Sequence, residues 1–227
     1  MSWCSPIMWH DNVSLPKDLY DKICSIVSDK LVGTRTVNVS NNDTGKLYYT
    51  TYGEDGSDWP TDVIEKVSEF YEEIFVSKMM FQLGLLKRSE WQFNYWIQGS
   101  NCTTIGHKPH THFSGNEIIS WCHIIEAPIP DEPCFHFFRN TPEGTIDGKG
   151  YRTVLGSVYE KLYPEQKTGD INAWPAWSLH AVDPTSSEEN RIVIAGNISL
   201  EKMTDGESLM EHKRDGNKVT WSIKELP

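Results

Sequence analysis

The chain divides by the period of its apolar positions. Leu19, Ile23, Ile26, Val27 and Leu31 recur three and four residues apart, which places them on one face of a helix. Ser14 ahead of Leu15-Pro16 supplies a start, with the serine as N-cap and the proline in the first turn, and Gly33 supplies a stop. Val63, Ile64, Val67, Phe70, Tyr71, Ile74 and Phe75 repeat the pattern behind a second start at Ser57-Asp58-Trp59-Pro60. Residues 38–56 between them are polar and turn-rich, with a short strand predicted over 46–51.

After Gly84 the period shortens. Residues 91–96 alternate and are aromatic, which favours a strand. Further strands are predicted over 118–125, 134–138, 170–174, 191–200 and 219–223, punctuated by Pro128-Ile129-Pro130, residues 144–150 and Asp183-Pro184. Many short strands without intervening helices predict an antiparallel sandwich or jelly roll rather than a parallel α/β fold. The expected architecture is a single domain, residues 1–227, mainly β. Residues 1–85 form a helical N-terminal support, 86–200 the β core and 201–227 a C-terminal extension.

The chemistry concentrates in the β half. Of eight histidines, His107, His110, His112, His123 and His136 fall within thirty residues. In an extended His110-Thr111-His112 both imidazoles face the same way. Residues 106–115 read as a loop leading into the 118–125 strand, and loops at a barrel mouth are where metal sites are built. Downstream, a strand ends at Pro175, His180 precedes the turn at Asp183-Pro184, and Arg191 heads the next strand eleven residues on. A guanidinium at the head of a buried strand needs an anion. One of the protein's own acids serves, as does a small dicarboxylate gripped bidentately. His123 and His136 lie in predicted strands, as hydrogen-bonded core or cavity lining. Trp121, Trp174 and Trp177 divide between core and cavity wall.

Composition narrows the classes. A chain of 227 residues with 11% aromatics and nine Trp can bury a sizeable core. The net charge of −11 weighs against a nucleic-acid partner, because phosphate neutralisation needs Lys and Arg. No apolar run approaches the roughly 20 residues of a membrane helix, and the first residues lack a signal-peptide pattern. A cytoplasmic protein is expected. Five scattered Cys without a CxxC pair point to free thiols rather than a disulfide framework or a thiolate zinc site.

The order HxH, a Ser-containing strand, GD-x4-P-x4-H-x-V-x-P and R-x5-N resembles the Fe(II)- and 2-oxoglutarate-dependent oxygenases, over roughly residues 91–200. It is most similar to the branch common in phage and bacterial genomes, distantly similar to the prolyl hydroxylases. The resemblance implies a double-stranded β-helix, cupin-like, with helices packed on one sheet. It implies Fe(II) at a facial triad, with His110 and His180 in the matching positions, and Arg191 on the C5 carboxylate of 2-oxoglutarate. His112 stands where the family has a carboxylate. It is the third ligand on this reading, with Glu117 as a substitute carboxylate, or with His107 as the upstream ligand in a shifted register. A hydroxyl partner for the C5 carboxylate must come from elsewhere, from Tyr95 or Ser120, and Asn197 matches a polar position near the co-substrate. The implied reaction is hydroxylation of a small-molecule or peptidyl substrate, such as a proline side chain, with release of succinate and CO2. A second reading is a non-catalytic jelly-roll module that binds a metal or a small acid.

Overall fold

The computed structural model describes residues 6–33, 47–52, 59–101, 107–112, 115–127, 133–138, 146–147, 150–151, 161–184 and 189–224. In chain order the elements are β1 (Trp9–Asn12), α1 (Lys17–Gly33), β2 (Leu47–Thr50), α2 (Thr61–Ile74) continuing as a π-helical segment (Phe75–Met80), β3 (Ser89–Asn101), β4 (His107–His110), β5 (Glu117–Glu126) and β6 (Phe135–Phe138). There follow β7 (Ile146–Asp147), β8 (Gly150–Tyr151), β9 (Lys161–Leu162), β10 (Asp170–Pro175), β11 (His180–Val182), β12 (Arg191–Met203), β13 (Met210–Asp215) and β14 (Lys218–Ile223).

The predicted apolar faces are the buried ones. Leu19, Ile23, Val27 and Leu31 of α1 are at most 2% exposed, and Val63, Val67 and Tyr71 of α2 are as deep. Burying one such side chain stabilises by about 1.5–3 kcal/mol. α2 starts behind Pro60 with no side-chain cap, and the expected start residues Ser57 and Asp58 lie outside the described residues. Among the described residues no helix is long and apolar enough to cross a membrane.

Apart from the two-stranded pair β7-β8, the described strands form two antiparallel sheets that face one another. The large one runs β1-β10-β5-β12-β3-β14-β13, with β2 also on β3, and the small one runs β4-β11-β6-β9. From β3 to β12 the chain passes back and forth between them: β3, β5, β10 and β12 enter the large sheet, β4, β6, β9 and β11 the small one. This is a double-stranded β-helix. Residues 107–110, expected as loop, are a strand of the small sheet. The N-terminal region adds strands as well as helices, because β1 and β2 both join the large sheet.

Each large-sheet strand has two faces, set by the period of two. Trp91, Phe93, Tyr95 and Ile97 of β3, Ile119, Trp121 and Ile125 of β5, and Ile192, Ile194 and Ile198 of β12 pack with the helices in one core. The intervening positions face the small sheet, where Phe135, Phe137 and Trp174 form a second, smaller core with Cys122 against it. Two glycines allow the helical side to close. A Cβ on Gly99 would collide with Val27 of α1, and one on Gly196 would collide with the Asn94 carbonyl and lie 2.8 Å from the Trp121 ring. The C-terminal region extends the same sheet. β14 pairs with β3, Arg214 Nη2 reaches Glu72 of α2 at 2.6 Å, and Asn217 Nδ2 donates to the Tyr95 carbonyl.

Candidate metal centre

β4 and β11 are neighbours in the small sheet, and their register sets His110 opposite His180. Two residues beyond β4, the His112 amide donates to the Ala176 carbonyl at 2.9 Å, which ties the chain to the turn between β10 and β11. The three rings therefore converge, with centroids 4.4 Å apart for His110–His180, 5.1 Å for His110–His112 and 5.0 Å for His112–His180. One ring nitrogen of each lies within 4.8 Å of one from both others.

Backbone carbonyls set two of the tautomers. His110 Nδ1 donates to the Lys108 carbonyl at 2.7 Å, and His180 Nδ1 to the Ser178 carbonyl at 2.9 Å. A carbonyl only accepts, so each Nδ1 carries the proton and the Nε2 of the neutral ring carries a lone pair. His112 Nε2 and His180 Nε2 face each other at 3.2 Å. Burial is the main cause that lowers His180 to about 3 and His112 to about 4, with the neighbouring imidazoles adding to it. Neutral imidazoles with converging lone pairs are metal ligands by chemistry, so the donor set fits a divalent ion. Trp174 and Phe135 box His180, at 5.3 and 5.5 Å between centroids. Trp96 stacks on His112 at 5.7 Å and 18°, and the exposed Tyr52 ring meets Trp96 edge-on at 5.0 Å.

Arg191 begins β12 opposite Ser100 of β3. Its charge acts on two groups inside the barrel. It helps depress His107, which burial first lowers to about 4, and it opposes the burial that raises Cys122 to about 11. Among the described residues the Arg191 guanidinium has no carboxylate partner and no hydrogen bond. The salt bridge to the protein's own acids that the sequence left open is not found there.

The other expected site residues separate. Ser120 and Asn197 share the inner face, and Ser120 Oγ donates to Asn197 Oδ1 at 3.0 Å. Tyr95 is a correction. Its hydroxyl donates to the Ile64 carbonyl at 2.9 Å and meets Ser68 Oγ at 3.0 Å, both on α2, so it lies on the opposite side of the sheet from the histidines. The period of two put Tyr95 in phase with Phe93 and handed the inner position to Trp96, which was not singled out. Glu117 and His107 do not join the three-nitrogen group, and the His107 ring stands 6.4 Å from that of His110. His123 and Trp121 face the helices, His123 bonded to Tyr71 and Trp121 packed 4.6 Å from the Tyr71 ring. His136 lies on the outer face of the small sheet beside Asp183 and Tyr163. Trp177 stands 61% exposed on the turn before His180. Cys24, Cys122 and Cys134 are free thiols, and Cys4 and Cys102 lie outside the described residues.

No family model and no curated protein matches the sequence. Solved structures do match the architecture. The non-heme alpha ketoglutarate dependent epimerase SnoN of nogalamycin biosynthesis superposes with a TM-score of 0.56 at 11% identity, over 84% of this chain and 78% of that one. A Pseudomonas putida prolyl-4-hydroxylase superposes at 0.52 and 10% identity, over 86% of this chain and 92% of that one. The chain shares their fold. A Trichoplax adhaerens prolyl hydroxylase, solved with a fragment of the hypoxia inducible factor oxygen degradation domain, gives 0.51 at 11% identity, over 84% of this chain and 82% of that one. SnoN has also been solved with Fe3+, alpha ketoglutarate and nogalamycin RO.

Proposed function

We propose that the chain is a 2-oxoglutarate-dependent dioxygenase that holds Fe(II) on His110, His112 and His180 and the C5 carboxylate of 2-oxoglutarate on Arg191. One observation carries the reading. A guanidinium unpaired among the described residues heads β12, three imidazoles converge between β4 and β11, and these are the two kinds of group that a chelating α-keto dicarboxylate needs at its two ends. The shared fold with SnoN and the prolyl hydroxylases supports it.

Fe(II) with bound 2-oxoglutarate would supply oxidative decarboxylation by dioxygen to succinate and CO2, coupled to hydroxylation of a C–H bond. The chain's own residues supply the rest. The Lys108 and Ser178 carbonyls hold two ligand rings in the tautomer that leaves Nε2 free. Arg191 orients the co-substrate from its far end. The Ser120–Asn197 pair offers polar contacts on the inner face, in place of the Tyr95 hydroxyl. Phe135, Phe137 and Trp174 keep water from the interior. The substrate is a small molecule or a peptidyl side chain such as proline, by analogy with the proteins that share the fold.

The second reading is a jelly-roll module that binds a metal or small acid without turnover, and His112 in place of a carboxylate favours it. Anaerobic titration of the Fe(II)-loaded protein with 2-oxoglutarate separates the two. The dioxygenase shows a visible metal-to-ligand charge-transfer band that weakens in Arg191→Ala, and releases succinate when oxygen is admitted. Stoichiometric iron with no band overturns the dioxygenase.

A further inference from the structure

The charge balance of this interior is unusual for a metal site. The three converging donors are imidazoles and bring no negative charge. Several described acids of the two sheets are engaged elsewhere. Asp183 takes Lys161 and Tyr163 on the outside of the small sheet, and Asp170 takes Asn12 and the Lys167 amide. Glu126 sits with Cys24 of α1, beyond the point where β5 and β12 shift register. Glu117 is not among the grouped donors. Arg191, unpaired among the described residues, adds a positive charge on the inner side.

A divalent ion added to this site alone raises the count to three positive charges, Arg191 included, and none of the three converging donors is an anion. Buried charge without a partner is costly, and like charges repel. An α-keto dicarboxylate removes both penalties, with one carboxylate toward the metal and the other on Arg191. Resting on the reading of the site above, we propose that His112 makes this a paired site, in which metal and α-keto dicarboxylate bind together and each binds weakly alone. The dianion does the work that a ligand carboxylate would otherwise do. Coupling of this kind is reciprocal, so each ligand tightens the other by the same factor.

Fe(II) binding to the full chain is measured by anaerobic equilibrium dialysis, with and without 2-oxoglutarate. 2-Oxoglutarate binding is measured by calorimetry, with and without Fe(II). The expected result is a tightening of at least about tenfold in each direction, and much less with pyruvate, which keeps the α-keto acid but lacks the second carboxylate. His112→Asp should bind Fe(II) more tightly without co-ligand and lose most of the coupling. Arg191→Met should also bind Fe(II) more tightly alone, and should no longer distinguish 2-oxoglutarate from pyruvate. If His112→Asp does not fold, the wild-type comparison and Arg191→Met carry the test. Wild-type Fe(II) affinity that 2-oxoglutarate leaves unchanged, with His110→Ala still abolishing it, overturns the pairing and keeps the metal site. Absence of Fe(II) binding under every condition, in wild type and in folded His112→Asp, overturns both.

Discussion

His123 and His180 are nearly equally buried, 1% and 3% exposed, and burial lowers both, to about 4 and about 3. They differ in what their ring nitrogens meet. His123 faces the helices, with Nε2 donating to the Val13 carbonyl at 2.8 Å and Nδ1 accepting from the Tyr71 hydroxyl at 2.8 Å. Every hydrogen-bonding position of that ring is used. His180 spends Nδ1 on a carbonyl and turns Nε2 toward His112. Burial and depressed basicity are common to both, so neither marks the site. An open nitrogen pointing at other open nitrogens does.

Substitutions on the two faces should therefore fail in different ways. His180→Ala should weaken Fe(II) binding by the folded protein by more than about 100-fold, since even residues that merely orient a ligand cost about 10–100-fold. His123→Ala should instead destabilise the fold. It creates a cavity and strands the Tyr71 hydroxyl, for a loss of about 2–4 kcal/mol, while the folded fraction binds Fe(II) normally. Urea unfolding and dialysis on both variants read the two outcomes. Equal metal loss in both would erase the distinction.

Tyr71→Phe sharpens the comparison, because it removes only the donor to Nδ1. The expected cost is about 1–3 kcal/mol by urea denaturation, with metal affinity unchanged. Acid titration adds a further handle. The depressed pKa of His123 means that the unfolded chain takes up the proton first, near 6.5. Its contribution to stability is complete above that pH and is lost as pH falls toward about 4, at up to about 1.4 kcal/mol per pH unit. His123→Gln should flatten the acid limb of the stability curve by that share. The smallest effect is expected for Ser120→Ala, which removes one hydrogen bond to Asn197 on the inner face. It should cost about 0.5–1.5 kcal/mol in the same unfolding assay.

The strands that were legible are those whose apolar phase is long enough to read. β3, β5, β10 and β12 carry two or more residues of the helix-facing core each and were all located, though β3 runs on to Asn101, past its expected end at 96. β4, β9, β11 and β13 were not. β4 reads His-Lys-Pro-His because site residues occupy the positions where an apolar period would show, β9 and β11 have two and three residues, and β13 is exposed along almost its whole length. The candidate site followed the same logic. The three histidines that converge, His110, His112 and His180, stand out by residue type, spacing and the family resemblance, whereas Tyr95 was assigned to the wrong side of its strand. Its hydroxyl is chemically suitable, but its position shares the phase of Phe93 and Ile97, and the helices lie on that side.

The sequence by itself determined the two periodicities, the position of the change between them, and the supply of imidazole and guanidinium groups along the second half. Those depend on neighbours a few residues away. Which face of the large sheet received the helices, and so which histidines kept an open nitrogen, was decided by the tertiary structure. His123 is closed by a carbonyl 110 residues away, and His112 meets His180 across 68. A lone pair is free or occupied according to what folding brings to it, and that partner leaves no mark on the local sequence.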